Sequence, residues 1–166
     1  MLCSLVLRDP PRLLPIAAGV AVAELAGARA KLKWPNDVLL AERKVAGILV
    51  EGRPQEHWAV LGIGLNVAVR LEELPPELHD RAGTLGQRPD ALEPTLERLL
   101  RSLDHWLAAE ATTVLEAARA RDALRGMRLR WQGGEGTGGG IDDDGRLIVQ
   151  ADERLLTLDA GEVHLM

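Results

Sequence analysis

Three apolar runs follow one another so closely between residues 38 and 69 that few sheet topologies can hold them. They are "VLL" at 38–40, "KVAGILVEG" at 44–52 and "HWAVLGIGLNVAV" at 57–69. A parallel crossover needs roughly a dozen residues or more, and the connections here are far shorter. The runs therefore predict a meander in a mixed or antiparallel sheet, with "AERK" as the polar turn between the first two. Ahead of them, "LCSLVLR" at 2–8 reads as a buried strand. "RLLPIAAGVAVAELAGARA" at 12–30 reads as an Ala-rich helix, in which Gly19 implies close packing on a neighbour.

Beyond the meander, residues 71–93 are rich in Pro, Gly and charge and predict an irregular connection. "PTLERLLRSLDHWLAAE" places Leu96, Leu99, Leu100, Leu103 and Leu107 on one helical face, with Pro94 suited to its start. "TTVLEAARARDAL" predicts a second helix capped by Thr112 or Thr113. At Gly126 the character changes to short strand-like pieces: "MRLRWQ", "GTGGGIDDDG", "RLIVQ", "RLLTLDAG" and "EVHLM". That even spacing predicts a small β-barrel or sandwich. So short a segment holds little core of its own, so it should dock on the rest. The expected fold class is α+β, with one domain over residues 1–125 and a small β domain over 126–166.

Composition narrows the function. Apolar residues make up 46% of the 166, yet Phe and Tyr are absent, so the core must be Leu, Val, Ile and Ala. A net charge of −5 argues against a nucleic-acid footprint, and four Trp are too few for a stacking platform. The single Cys3 excludes an internal disulfide and any multi-cysteine metal site. No apolar run reaches the roughly 18 to 20 residues of a membrane span, and the start lacks the features of a signal peptide. The expected location is cytoplasmic.

All three lysines, Lys31, Lys33 and Lys44, fall within "KLKWPNDVLLAERKVAGILVEG"; the other seventeen basic residues are arginines. In "KWPND", Pro35 stiffens a turn that either simply launches a strand or presents Asn36 and Asp37 beside a cavity. Lys44 is either a solvated strand-end lysine or a compact charge for a phosphate or carboxylate. A hairpin through "AERK" should put it at the same end of the sheet as Asp37. "GIGLN" lacks the third glycine and following helix of a dinucleotide fingerprint. Its alternate Gly62 and Gly64 leave one strand face bare, either for close strand packing or for a ligand, and Asn66 continues that face. "GGEGTGGG" reads as a loop or hairpin and "DDDG" as a turn. The four histidines show no metal-ligand spacing.

In combination and order, "KWPNDVLLAERKVAGILVEG", "VLGIGLNV" and the tail "GGGIDDDGRLIVQ…LDAGEVHL" resemble the biotin protein ligases, from "SLVLR" to "GEVHL". The resemblance implies part of a class II aminoacyl-tRNA synthetase-like core followed by a small SH3-like β-barrel. It implies ATP and biotin as substrates with Mg²⁺, and a biotin carboxyl carrier protein of acetyl-CoA carboxylase as partner. Biotinyl-AMP forms first, and a carrier lysine then takes the biotin. Lys44 and Asp37 are the implied catalytic residues, with Asp37 able to help bind Mg²⁺ or remove a proton. Lys44, Gly47 and Ile48 are the implied biotin contacts. Lys33, Asn36, Asp37, Gly62, Gly64 and Asn66 are the implied ATP contacts. The family's N-terminal half of the catalytic domain, with its arginine- and glycine-rich loop, and its DNA-binding module have no counterpart in this sequence. The chain as given is thus expected not to biotinylate a carrier at a useful rate, and the strand at 2–8 to favour self-association, a homodimer being one such state. Two other readings stand beside this one: a non-catalytic remnant that only binds a carrier or partner chain, and, more distantly, a lipoate ligase.

Overall fold

In the computed structural model, which describes residues 1–53 and 56–166, helix α1 (Leu14–Ala26) is buried on nearly every side. Its sequence is apolar all round rather than striped, and such a helix belongs in an interior. One side packs on a sheet. Others meet helix α2 (Leu92–Ala108) and helix α3 (Ala111–Ala120). Gly19 allows close approach: a Cβ there would lie 3.3 Å from Leu32 Cδ2. Leu99 and Leu103 form the buried stripe of α2, opposite a charged face.

The sheet contains β1 (Leu2–Arg8), β2 (Lys31–Lys33), β3 (Asp37–Leu40), β4 (Arg43–Arg53) and β5 (Trp58–Leu65). Their order is β1-β5-β4-β3-β2, with every neighbour antiparallel. The three apolar runs thus become β3, β4 and β5. Val38, Ala46, Ile48, Leu61 and Ile63 point into the core shared with α1. The opposite face is open along β1, β5 and the middle of β4, where Leu2, Val6 and Leu49 are exposed, and covered at Leu39. A second five-stranded antiparallel sheet holds β6 (Arg128–Trp131), β7 (Gly134–Ile141), β8 (Leu147–Ala151), β9 (Arg154–Leu158) and β10 (Val163–Leu165), in the order β10-β6-β7-β8-β9. Leu129, Ile141, Leu147 and Val149 join its inner face to the same core. Among the described residues, no helix is long and apolar enough to cross a membrane.

Several sequence expectations need correction. The 2–8 segment is an edge strand rather than a buried one, because its alternate side chains project from the open face: Leu2 is 91% exposed. The β3–β4 turn is two residues, Ala41 and Glu42, both with positive φ, and not the four of "AERK". Such a turn matches the twist of paired strands. Thr112 and Thr113 lie inside α3, whose N-cap is Glu110. Of the two readings of the glycine-rich "GGEGTGGG", loop or hairpin, the structure takes the hairpin, β7 turning back on β6 between Trp131 and Gly134. The stretch forms most of β7, where a Cβ on Gly136 would sit 2.4 Å from the Gln150 carbonyl oxygen and one on Gly138 would sit 2.1 Å from that of Leu124. The second sheet does not close into the expected barrel, since β9 and β10 remain its two edges.

Candidate functional site

One cross-strand row organises the open face of the first sheet. Lys33 pairs with Asp37, Asp37 with Gly47, Gly47 with Gly64, and Gly64 with Leu2. The row crosses all five strands, from a charged end through two bare glycines to an apolar end. The next row on the same face reads Leu49, Gly62, Ser4. Leu49 is 57% exposed. Gly47, Gly62 and Gly64 thus leave a shallow floor, walled by Leu2 and Leu49, with charge at one side.

Lys44 reaches this floor only because the ladder is irregular. Val38 pairs with Ala46, but Leu39 pairs with Lys44, so Val45 is an extra residue in β4. Strand side chains alternate between faces, and one inserted residue flips those beyond it. In a regular strand Lys44 would share the core side with Ala46. With the bulge, Val45 and Ala46 are both buried and the lysine lies over Gly47 instead. Its Nζ stands 2.5 Å from Asp37 Oδ1, and Lys33 Nζ stands 3.7 Å from Oδ2. The Asp37 side chain is only 15% exposed, that of Lys44 50%. Among the described residues, Oδ1 meets no donor other than the Lys44 ammonium. Lys44 and Asp37 are not at one end of the hairpin. Asp37 pairs with Gly47, three residues along β4 from Lys44, whose own partner is Leu39, and the long side chain spans the gap.

Two ammonium groups around one carboxylate leave net positive charge, suited to a carboxylate or phosphate. The same count makes a poor resident Mg²⁺ site. Asp37 is the carboxylate at hand and already carries two cations, and among the described residues no group of three His, Cys, Asp or Glu could hold a metal.

The other expected residues divide. Asn36 is locked to β4: its Nδ2 donates to the Ile48 carbonyl at 2.9 Å, and Ile48 N–H donates to the Asn36 carbonyl at 2.8 Å. The Ile48 side chain faces the core, so only its backbone lies near the floor. Asn66 stands just past β5, where its Nδ2 donates to the Gly83 carbonyl at 2.9 Å. The row itself, and Leu2 within it, escaped sequence reasoning because register is invisible without pairing partners.

The second sheet also touches this region. The indole N–H of Trp34, whose peptide bond to Pro35 is cis, donates to the Gly145 carbonyl at 3.0 Å. Gly145 closes the "DDDG" turn, which Arg12 and Arg119 hold through Asp144 and Asp143. Within the turn, desolvation alone would raise Asp142. Hydrogen bonds from the Arg146 backbone and guanidinium and from the Asp144 N–H outweigh it and hold the carboxyl below its ordinary value. The sequence hint was a lone aromatic between two candidate site residues.

Residues 12–67 match the Biotin/lipoate A/B protein ligase family, and residues 135–166 match the Biotin protein ligase C terminal domain. The biotin--[acetyl-CoA-carboxylase] ligase of Mycobacterium tuberculosis is 36% identical over 92% of this chain and 62% of its own length. The bifunctional ligase/repressor BirA of Bacillus subtilis is 29% identical over 96% of this chain and 54% of its own. The chain therefore spans between half and two thirds of these relatives. The structure of the Aquifex aeolicus biotin protein ligase in complex with biotin and ATP superposes with a TM-score of 0.79, at 27% identity, over 99% of this chain and 77% of that one. The chain thus carries a Biotin/lipoate A/B protein ligase family domain followed by a Biotin protein ligase C terminal domain, on a fold it shares with a biotin protein ligase along almost its whole length.

Proposed function

We propose that this chain carries an adenylate-forming site for the ATP-dependent attachment of biotin to a lysine of a biotin carboxyl carrier protein. The observation that carries this reading is the row Lys33, Asp37, Gly47, Gly64, Leu2, with the Lys44 ammonium held over Gly47. A ligand with an apolar body and an anionic end fits a glycine floor with an apolar wall and a cationic rim. The biotin carboxylate attacks the α-phosphorus of ATP. As the new O–P bond forms, the bond to the β-phosphate oxygen breaks and pyrophosphate leaves with the electron pair. Two anions must approach, and Lys44 offsets their repulsion while Lys33 supports the phosphate side. A lysine amine of the carrier then attacks the anhydride carbonyl, AMP departs, and the amine proton passes to a base, the role suited to Asp37. Asn36 and Asn66 hold the surrounding backbone. Magnesium enters as the complex of the nucleotide, with no step assigned to a protein-held ion.

The test is biotin-dependent exchange of pyrophosphate into ATP by the purified protein. Lys44→Ala should lower the exchange by about 10²- to 10³-fold, the usual loss for one preorganised charge contact, with circular dichroism unchanged. Wild-type protein without biotin-dependent exchange would sink the proposal; retained carrier binding in that case would favour a non-catalytic binding role.

A further inference from the structure

The bulge that turns Lys44 onto the open face has a cost in pairing. Pairing of β4 with β5 begins at Ala46 and Leu65, so β5 offers Lys44 no partner. A buried backbone without partners is unfavourable. The irregular connection supplies them instead. Lys44 N–H donates to the Arg81 carbonyl at 2.8 Å, Gly83 N–H donates to the Lys44 carbonyl at 2.7 Å, and Lys44 forms a parallel bridge with Ala82. Three residues of a segment without regular structure thus stand where a strand would continue.

Only glycine fits at the centre of this contact. A Cβ on Gly83 would lie 2.9 Å from Val45 Cγ1, 3.0 Å from Arg43 Cβ and 3.2 Å from the Arg43 carbonyl oxygen. These are backbone or near-backbone atoms of the bulge itself, and they cannot swing away. Asn66 closes the arrangement. Its N–H donates to the Val45 carbonyl at 2.8 Å and its Nδ2 to the Gly83 carbonyl at 2.9 Å, while its own carbonyl accepts Leu85 N–H at 2.8 Å. Each group left over by the extra residue is met by one residue of the connection or by Asn66.

We propose that Gly83 and Asn66 are positioning residues for Lys44: they fix the bulged backbone from which the ammonium reaches Asp37. This deepens the adenylation reading, which it takes as the use to which Lys44 is put. Asn66 holds Gly83 in addition to its implied contact with the nucleotide, and the segment at 81–85 supports the site rather than serving as a passive connection.

The test exploits the three lysines. Ligand-free protein is labelled with a limiting amount of acetic anhydride, and the acetylation rates of Lys44, Lys33 and exposed Lys31 are read by peptide mass spectrometry. The ion pair with Asp37 shields Lys44 from the reagent. In Gly83→Ala, Lys44 should label several-fold faster relative to Lys31, and in exchange assays kcat/KM for biotin should fall about tenfold or more, as misplacement of a charge that meets the biotin carboxylate predicts. Asn66→Ala removes the hook without adding bulk, and should move Lys44 labelling the same way by a smaller factor; it decides the matter if Gly83→Ala does not fold. Labelling needs no ligand or turnover, so it stands even if the protein makes no adenylate. Folded variants in which Lys44 labels at the wild-type ratio would overturn the proposal.

Discussion

At Gly47 a single missing methyl group decides what the site can do. A Cβ there would lie 3.2 Å from both Lys44 Cε and Nζ, and 3.8 Å from Asp37 Oδ1. The nearest atoms belong to the far end of a flexible side chain, which can move aside. The strand gains as well, since alanine in a strand interior is favoured over glycine by roughly 0.5–1 kcal/mol. Gly47→Ala should therefore melt at or above the wild-type temperature while the ammonium is pushed off its carboxylate. A displacement near 1 Å in a catalytic group costs about 10²-fold in rate, so pyrophosphate exchange should fall by that order as stability holds or rises. Calorimetry and the exchange assay on one preparation check both halves. Full exchange activity in the variant would mean that Lys44 does not act from this position.

At the scale of elements, two short turns set the geometry. The turn at Ala41 and Glu42 lets β4 begin at Arg43, within "AERK", and the bulge at Val45 follows at once. The turn at Asp142–Gly145 reaches across to Trp34. Trp34→Phe removes a donor and leaves the Gly145 carbonyl without its partner. This should cost about 1–3 kcal/mol in urea unfolding, whereas Trp58→Phe, at an exposed contact with Glu56, should stay within about 0.5 kcal/mol. Equal losses at the two positions would refute a special role for the Trp34 contact. These elements also mark the limit of what sequence reveals. The runs that became β3, β4 and β5 were legible because apolar length and short connections leave few alternatives, and α1 was legible from its unbroken apolar spacing. The candidate residues Lys33, Asp37, Gly47 and Gly64 could be named from motif order, but their common row could not, because register depends on partners distant in sequence. The bulge was hidden for a sharper reason: neither Ala41–Glu42 nor Val45 carries the Gly, Asn or Asp that would announce an unusual backbone. The glycines of β7 left a loop and a hairpin both open. They signal close approach of neighbouring chain, as at Gly136 and Gly138, rather than freedom.

For the whole molecule, the joint between the two sheets is the place where charge and burial conflict. The link runs through Asp122. Leu32 N–H donates to the Arg121 carbonyl and Ala123 N–H to the Leu32 carbonyl, each at 2.8 Å, while Gly126 N–H donates to the Gly138 carbonyl at 2.7 Å. Asp122 Oδ1 accepts the Leu124 N–H at 2.8 Å, but Oδ2 is buried without a donor among the described residues. Desolvation raises the carboxyl above its ordinary value of 3.8, against the pull of the Leu124 and Arg125 N–H groups and of the Arg125 and Lys31 charges. The folded protein therefore holds this proton more tightly than the unfolded chain does. Below pH 3.8 both states are protonated and the contribution to stability is fully present. As pH rises through the folded value, the carboxylate must ionise in a buried place, and stability is lost. Asp122→Asn keeps an acceptor for Leu124 N–H and removes the ionisation. Its offset from wild type includes the cost or gain of a buried amide, which does not vary with pH. The difference in melting temperature, variant minus wild type, should therefore climb as pH is raised from 4 and level off above the folded value of Asp122. A difference that stays flat, or falls, between pH 4 and 8 would show that Asp122 is ionised at no cost and that the joint between the sheets is more open to water than its burial implies.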